Sequence, residues 1–208
     1  VTYDDLGVEL SIGIVDEEGL KQGEWTHLFP SGEIRSKGIY KNDNKIGDWT
    51  YYFENGTLEQ KGTYINNKAQ GEWNWYYKTG ELLRNEYYEN GLEEGIMVEL
   101  SRNGDTIVQG NFIFGEKEGY WFYFIGDELW EGDYLYDKKD GEWVQYYLPE
   151  MTIKTKGNFK QGKEQEKHRF FYRNGNLQAQ GEFINGKKHK TWRYYDTDGY
   201  LKTTITYN

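Results

Sequence analysis

The stretch that decides the fold is GDWTYYFENGTLEQKGTYINNKAQ, residues 47–70. It contains two aromatic runs on either side of Asn55-Gly56, and its pattern returns at a spacing of 24 residues along much of the chain. Asn-Gly between such runs is a strong hairpin signal, because both central residues of a type I′ turn need positive φ. The stretch is therefore predicted to form one β-hairpin, and a polar connector such as INNK at 65–68 leads to the next.

The repeat accounts for nearly the whole chain of 208 residues. Its units begin at Gly23, Gly47, Gly71, Gly95, Gly119, Gly141, Glu166 and Lys190. We predict a partial N-terminal repeat or cap at 1–22 and one continuous array of eight units at 23–208. The predicted fold class is all-β, an elongated, twisted, single-layer antiparallel meander of about eight 24-residue β-hairpin repeats.

The recurring glycines are predicted to be seats for aromatic rings. Pairing outward from a two-residue turn at Asn55–Gly56 places Trp49 opposite Gly62, and opposed residues share a face of the sheet. A large ring can cover a glycine that would otherwise weaken its strand. We expect each ring to dock on the glycine that it faces, in the pairs Trp25 and Gly38, Trp49 and Gly62, Trp121 and Gly132, and Trp143 and Gly157. Two positions depart from this rule, because Trp73 faces Glu86 and Trp192 faces Ile205.

The opposite face carries charged and polar residues around one apolar position in each repeat. This candidate partner-binding stripe consists of Tyr52, Tyr76, Phe124, Tyr146, Phe171 and Tyr195, with Leu28 and Leu100 at the same position. The stripe either stiffens a thin sheet or forms the contact surface for a partner, since ordered exposed aromatic residues make good anchors.

The pattern G-[ED]-W-x-x-[YF]-[YF]-x-x-G-x-[LI]-x-x-x-G-x-[YF]-x-N-G-K-x-x-G resembles the bacterial variant of the MORN repeat, found in proteins that are often labelled YwqK-family antitoxins. The resemblance covers essentially the whole chain. It implies an elongated, twisted antiparallel sheet of successive hairpins. It also implies a role in scaffolding, protein contact or membrane association, with an antitoxin label in bacteria.

Composition narrows the classes of partner. The net charge of −10 makes nucleic acid and anionic membrane surfaces poor partners. No segment approaches the roughly 20 apolar residues that span a bilayer, so direct membrane insertion is not expected. The absence of cysteine excludes disulfides and thiolate chemistry. The compartment stays open, and we favour an exported, periplasmic or outer-membrane-associated protein over a cytoplasmic one.

No catalytic constellation stands out. His27, His168 and His189 lack metal-ligand spacing, and His168 stands at a repeat tryptophan position, which favours a structural role. The carboxylates cluster in connectors, and a thin sheet offers no deep cleft for paired catalytic carboxylates. We therefore predict no enzyme activity, no metal and no cofactor.

Two functional hypotheses follow from these residues. The first is a non-catalytic repeat scaffold that binds another protein, or itself through edge strands, as a subunit or accessory of a bacterial complex. The alternative is a glycan-binding module of an exported bacterial protein, because rows of Trp and Tyr beside Asn and Asp suit sugar rings. A regulatory repeat region of a larger enzyme is a third possibility.

Overall fold

The structure, a computed structural model, describes residues 2–3 and 9–208, and all the regular secondary structure in that part of the chain is β-strand. The chain divides into two compact units, residues 1–106 and 107–208. The strands up to this division are β1 (Thr2–Tyr3), β2 (Glu9–Val15), β3 (Lys21–Leu28), β4 (Ile34–Lys41), β5 (Asn44–Tyr52), β6 (Leu58–Ile65), β7 (Lys68–Tyr76), β8 (Leu82–Glu89), β9 (Leu92–Glu93) and β10 (Gly95–Leu100). They are followed by β11 (Thr106–Ile113), β12 (Glu116–Ile125), β13 (Glu128–Leu135), β14 (Lys138–Tyr147), β15 (Thr152–Lys160), β16 (Lys163–Phe171), β17 (Leu177–Ile184), β18 (Lys187–Tyr195) and β19 (Leu201–Tyr207).

Within each unit, successive strands pair antiparallel with their neighbours in the chain. In the first unit this holds from β1 to β8, where β8 pairs with both the short β9 and β10. In the second unit it holds from β11 to β19. The predicted all-β hairpin meander is confirmed. The predicted cap at 1–22 lies partly outside the described residues, and the boundary between it and the array stays a prediction.

The tight type I′ turns lie in the connectors between repeats and not at Asn55-Gly56 within the repeat, contrary to the sequence-based expectation. Between β6 and β7, Asn66 (φ 49°) and Asn67 (φ 65°) both have positive φ, and Ile65 pairs with Lys68 across them. Two consecutive positive φ values define a type I′ turn, whose twist suits the flanking strands. The same geometry recurs at Asn42-Asp43, Asn90-Gly91, Phe114-Gly115, Tyr136-Asp137, Gln161-Gly162 and Asn185-Gly186.

At the Asn55-Gly56 site the loop has three residues instead of two. Only Gly56 has positive φ, at 82°, and its N–H donates to the Phe53 carbonyl at 2.8 Å. Phe53 N–H then donates to the Thr57 carbonyl, which closes the loop. The register nevertheless matches the prediction from Tyr51 onward, because an extra residue in β6 compensates at a β-bulge.

The tryptophans form the core, and they stack in the opposite direction from the prediction. Trp49 does pair with Gly62 across the hairpin, yet its ring lies over Gly38 on the preceding strand. A Cβ added to Gly38 would lie 2.2 Å from two atoms of the Trp49 ring. The expectation that each ring docks on the glycine that it faces is therefore wrong in direction. The observed ring and seat pairs are Trp25 over Gly13, Trp49 over Gly38, Trp73 over Gly62, Trp121 over Gly110, Trp143 over Gly132, His168 over Gly157 and Trp192 over Gly181.

A bulge at the start of each repeat explains the direction. On β5, Gly47 (φ 61°) and Asp48 are extra relative to β4, since Lys37 pairs with Thr50 while Ile39 pairs with Ile46. The left-handed backbone favours glycine at position 47. Trp49 directly follows this bulge and lies back over β4, where its Nε1–H donates to the Ile39 carbonyl at 3.3 Å.

The same hydrogen bond recurs at every seated ring. The donor is always the ring nitrogen, and the acceptor is always the carbonyl of the residue that follows the seat glycine. The bonds run from Trp25 to Ile14, Trp49 to Ile39, Trp73 to Thr63, Trp121 to Asn111, Trp143 to Asp133, His168 to Asn158 and Trp192 to Glu182, at 2.9–3.3 Å. His168 Nε2 makes this contact in place of an indole, so it stands in structurally for tryptophan, in its Nε2–H tautomer.

Candidate functional site

The face of the sheet that carries the seated tryptophans, called here the ring-bearing face, also carries lysines. Glycines pack against one side of the rings, and lysine side chains pack against the other. Lys45, four residues before Trp49, places its Nζ 4.5 Å from the centroid of the indole. Burial lowers the pKa of Lys45, and the charges of Lys21 and Arg35 add to this effect. A cation over an aromatic face is attracted by the ring quadrupole. The same pair occurs at Lys21 and Trp25, Lys117 and Trp121, Lys139 and Trp143, and Lys188 and Trp192, at 3.9–5.0 Å.

This packing leaves the seated tryptophans without a free face. Each is between 0 and 4% exposed. They therefore act as the core of the sheet and present no exposed face on which a sugar ring could stack.

The lysines also begin short hydrogen-bond chains between tyrosines. Lys45 Nζ donates to the Tyr51 hydroxyl at 2.9 Å, and Tyr51 donates to the Tyr64 hydroxyl at 3.3 Å. Burial raises the pKa of Tyr51, and its hydrogen bond to Tyr64 adds to the shift. Lys117 contacts Tyr123 and Lys188 contacts Tyr194 in the same way, at 3.0 and 2.9 Å.

One repeat has an acidic residue in place of the seat glycine, and the structure pairs this residue within the sheet. Glu86 occupies a seat position on β8 and is only 4% exposed. Its carboxylate accepts from Arg84 at 3.1 Å and from the Tyr88 hydroxyl at 2.8 Å. Met97 replaces the ring on the next strand and is buried. Because each carboxylate oxygen has a partner, this buried acid is a structural substitution for the glycine and the ring.

The candidate stripe lies on the opposite face, and each ring in it faces a leucine or isoleucine. Tyr52 pairs with Leu58, and Tyr76 pairs with Leu82. In the second unit the pairs are Phe124 with Leu129, Tyr146 with Leu129 and Ile153, Phe171 with Leu177, and Tyr195 with Leu201. Most of these rings are half-buried, whereas Phe124 is 38% exposed. Tyr52 and Tyr76 belong to the first unit and the other four rings to the second.

The second unit adds aromatic residues that the stripe did not include. Tyr120, Phe122 and Phe124 alternate along β12 on this face, with centroids 6.4 and 5.7 Å apart in sequence order. Tyr120 is 54% exposed. We call Tyr120, Phe122, Phe124, Leu129 and Tyr146 the β12 patch. The sequence signal for this patch was the run GYWFYF at 119–124, because no other repeat carries an aromatic residue where Tyr120 or Phe122 stands.

A carboxylate fixes the position of two phenols in this patch. Glu131 accepts from the Tyr120 hydroxyl at 2.7 Å and from the Tyr146 hydroxyl at 2.9 Å. Burial, together with the hydrogen bond to Glu131, raises the pKa of each of these tyrosines to about 12. The rings are thus held in place while their faces remain accessible, an arrangement typical of preorganised contact surfaces.

The described residues contain no group of three or more His, Asp or Glu side chains arranged to hold a metal ion. Nor does that part of the chain include a helix able to cross a bilayer.

Three segments match the model of the MORN repeat variant, at residues 21–42, 45–66 and 167–185. No curated protein sequence is significantly similar to the chain. Among solved structures, a chain of the GtfA/B complex bound to UDP and GlcNAc is 14% identical with a TM-score of 0.25, over 57% of this chain and 25% of that chain. A chain in the TcdB2-TccC3-Cdc42 structure is 10% identical with a TM-score of 0.21, over 94% of this chain and 13% of that chain. The chain thus spans a quarter or less of the length of these two proteins.

Proposed function

We propose that this protein is a non-catalytic repeat module that binds another protein, and that the β12 patch is the centre of the contact. The observation that carries the proposal is the exposure of ordered rings on the face that the fold does not use for its core, above all Tyr120 at 54%. MORN repeats are in general modules for protein or membrane interaction, which agrees with the three matched segments.

The chemistry of the patch favours a protein partner. Aromatic rings held in place lose little side-chain entropy on binding, and such rings are enriched among residues that dominate protein interfaces. Phe122 and Phe124 supply an apolar centre beside the buried Leu129, while Glu131 satisfies the two phenols at its margin. A polar rim around an apolar centre is the usual anatomy of a protein interface.

The glycan-binding alternative loses its original support. It depended on the rows of tryptophan, and the seated tryptophans are at most 4% exposed. The proposal of no catalysis draws on the same packing, since the buried acid Glu86 is already paired with Arg84 and Tyr88.

Site-specific photocrosslinking in the native host tests this proposal. A photoreactive phenylalanine analogue placed at Phe122 should give one discrete crosslinked protein. The matched control is the same analogue at Asn74, which occupies the corresponding position of an earlier repeat. Phe122→Asn should abolish co-purification of the crosslinked protein while the circular dichroism spectrum remains that of the folded protein. Equal crosslinking from both positions, or none from Phe122, would contradict the proposal.

A further inference from the structure

A cavity of about 570 Å³ on the ring-bearing face of the first unit carries an excess of positive charge. It is lined by Lys21, Arg35 and Lys45, with Glu59 as the one carboxylate among the described residues of its wall. Within residues 10–208, whose side chains the structure describes, none of the three cations forms an ion pair. This local charge contrasts with the net charge of −10 for the whole chain.

Two residues of the cavity depart from the repeat. His27 stands where three other repeats have tyrosine, at Tyr51, Tyr123 and Tyr194. Arg35 stands where the next two repeats have Glu59 and Leu83. Lys21 and Lys45 follow the repeat and cover their tryptophans, but Arg35 has no such structural role and its side chain is exposed. The repeat alone therefore does not explain the charge of this cavity.

The electrostatics of the cavity are unfavourable when it is empty of anions. The pKa of His27 is lowered to about 4, first by burial and then by the charges of Lys21, Arg35 and Lys45. The Tyr40 hydroxyl lies 3.3 Å from His27 Nε2, which suits a neutral imidazole that accepts from the phenol. Like charges that share a site disfavour one another's ionised forms, and an anion among them relieves this cost.

We propose that this cavity binds a small organic anion through a carboxylate or phosphoryl group. The Arg35 guanidinium offers several N–H donors in a planar fork, which matches the oxygens of either group. The ammonium groups of Lys21 and Lys45 add charge from the side of the tryptophan stack. The volume falls within the roughly 300–1,000 Å³ of small-molecule sites, and the half-buried ring of Tyr51 in its wall suits a ligand with a carbon skeleton.

His27 provides a built-in reporter for the test. The chain has only three histidines, so imidazole resonances of the full protein are readily resolved by NMR. Inorganic phosphate and succinate are each titrated at a constant ionic strength set with NaCl. We expect a saturable shift of the His27 resonances and a rise of about one unit or more in the pKa of His27, the size that an opposite charge nearby produces. His168 and His189 should not respond. The anion that saturates at the lower concentration identifies the preferred group.

Two variants separate binding from general screening. Arg35→Gln should weaken the binding of the preferred anion at least tenfold, and the exposure of Arg35 makes misfolding no concern. Lys202→Gln removes the same charge at the corresponding position of the last repeat and should leave binding unchanged. A His27 response identical to that in NaCl alone, a response that never saturates, or equal weakening in both variants would overturn the proposal.

Discussion

Replacing Gly62 with alanine should unseat Trp73 and leave Trp49 in place. The added Cβ would lie 2.1, 2.2 and 2.5 Å from Cδ2, Cε2 and Cγ of Trp73, where ordinary contacts are 3.4–4 Å. The indole would have to move by about an ångström or more, and its hydrogen bond to the Thr63 carbonyl would lengthen from 3.3 Å. Trp49 pairs with Gly62 across the hairpin but covers Gly38, so its own seat is untouched.

The expected cost follows from three terms. Overpacking a well-packed core costs roughly 1–3 kcal/mol. Losing the indole hydrogen bond costs about 1 kcal/mol. Alanine in a strand gains about 0.5–1 kcal/mol over glycine, because it restricts the unfolded chain. The net destabilisation of Gly62→Ala is therefore about 2 kcal/mol, to be measured as a lower midpoint of urea unfolding at an unchanged slope.

The matched control is Lys61→Ala, on the opposite face and exposed, which should change stability by less than about 0.5 kcal/mol. The indole N–H resonances then tell the two directions of stacking apart. Gly62→Ala should shift the resonance of Trp73 and speed its hydrogen exchange, while the resonance of Trp49 stays within the range seen for Lys61→Ala. If Trp49 responds and Trp73 does not, the stacking direction is wrong; equal unfolding midpoints for the two variants would refute the seat itself.

Two further outcomes are expected. Glu166 has a φ of 61° at a repeat-start bulge where six other repeats have glycine, so Glu166→Gly should stabilise the protein by about 0.5–1 kcal/mol. Lys167→Gly, in the adjacent extended backbone, should destabilise it by a similar amount, and thermal unfolding of both variants measures the difference. The pKa of Tyr120 and Tyr146 is raised to about 12, so their contribution to stability is full below pH 10 and is lost between pH 10 and 12. Glu131→Gln should lower both pKa values, and absorbance at high pH should then show that the two tyrosines ionise at a lower pH. An unchanged titration would contradict the role of this carboxylate.

The sequence was sufficient to predict the hairpin meander and its register. The predicted register is correct from Tyr51 onward although the turn at Asn55–Gly56 was assigned incorrectly. The loop there has one residue more than predicted, and a bulge one pair further on restores the pairing. Asn-Gly suits a type I′ turn, but it also suits a loop in which only the glycine has positive φ. Asn66-Asn67 carries the type I′ turn without any glycine, which local propensity ranks lower.

The direction of ring stacking was the part that pattern alone left ambiguous. Gly62 lies between two tryptophans, Trp49 on one neighbouring strand and Trp73 on the other, so a ring and glycine rule fits either direction. The two positions that depart from the rule, Trp73 opposite Glu86 and Trp192 opposite Ile205, indicate the direction of stacking. Glu86 is followed by Met97 at the ring position, and Ile205 lies on the last strand of the chain, where it is 43% exposed. A seat needs glycine only where a ring from the following strand covers it, and both departures then become consistent with the fold.

A repeat protein helps to separate structural from functional residues, because each regular position has a partner that explains it. Irregularity alone does not reveal a site, since Glu86 breaks the repeat and is satisfied by Arg84 and Tyr88 within the same sheet. A position indicates a functional site when its residue departs from the repeat and also makes no contact that the fold requires. Arg35 meets both conditions in the first unit, because its exposed charge forms no ion pair with the side chains of residues 10–208. Phe122 meets them in the second unit, because its ring lies on the face opposite the tryptophans. The two sites therefore call for independent tests, because each depends on residues that the other does not involve.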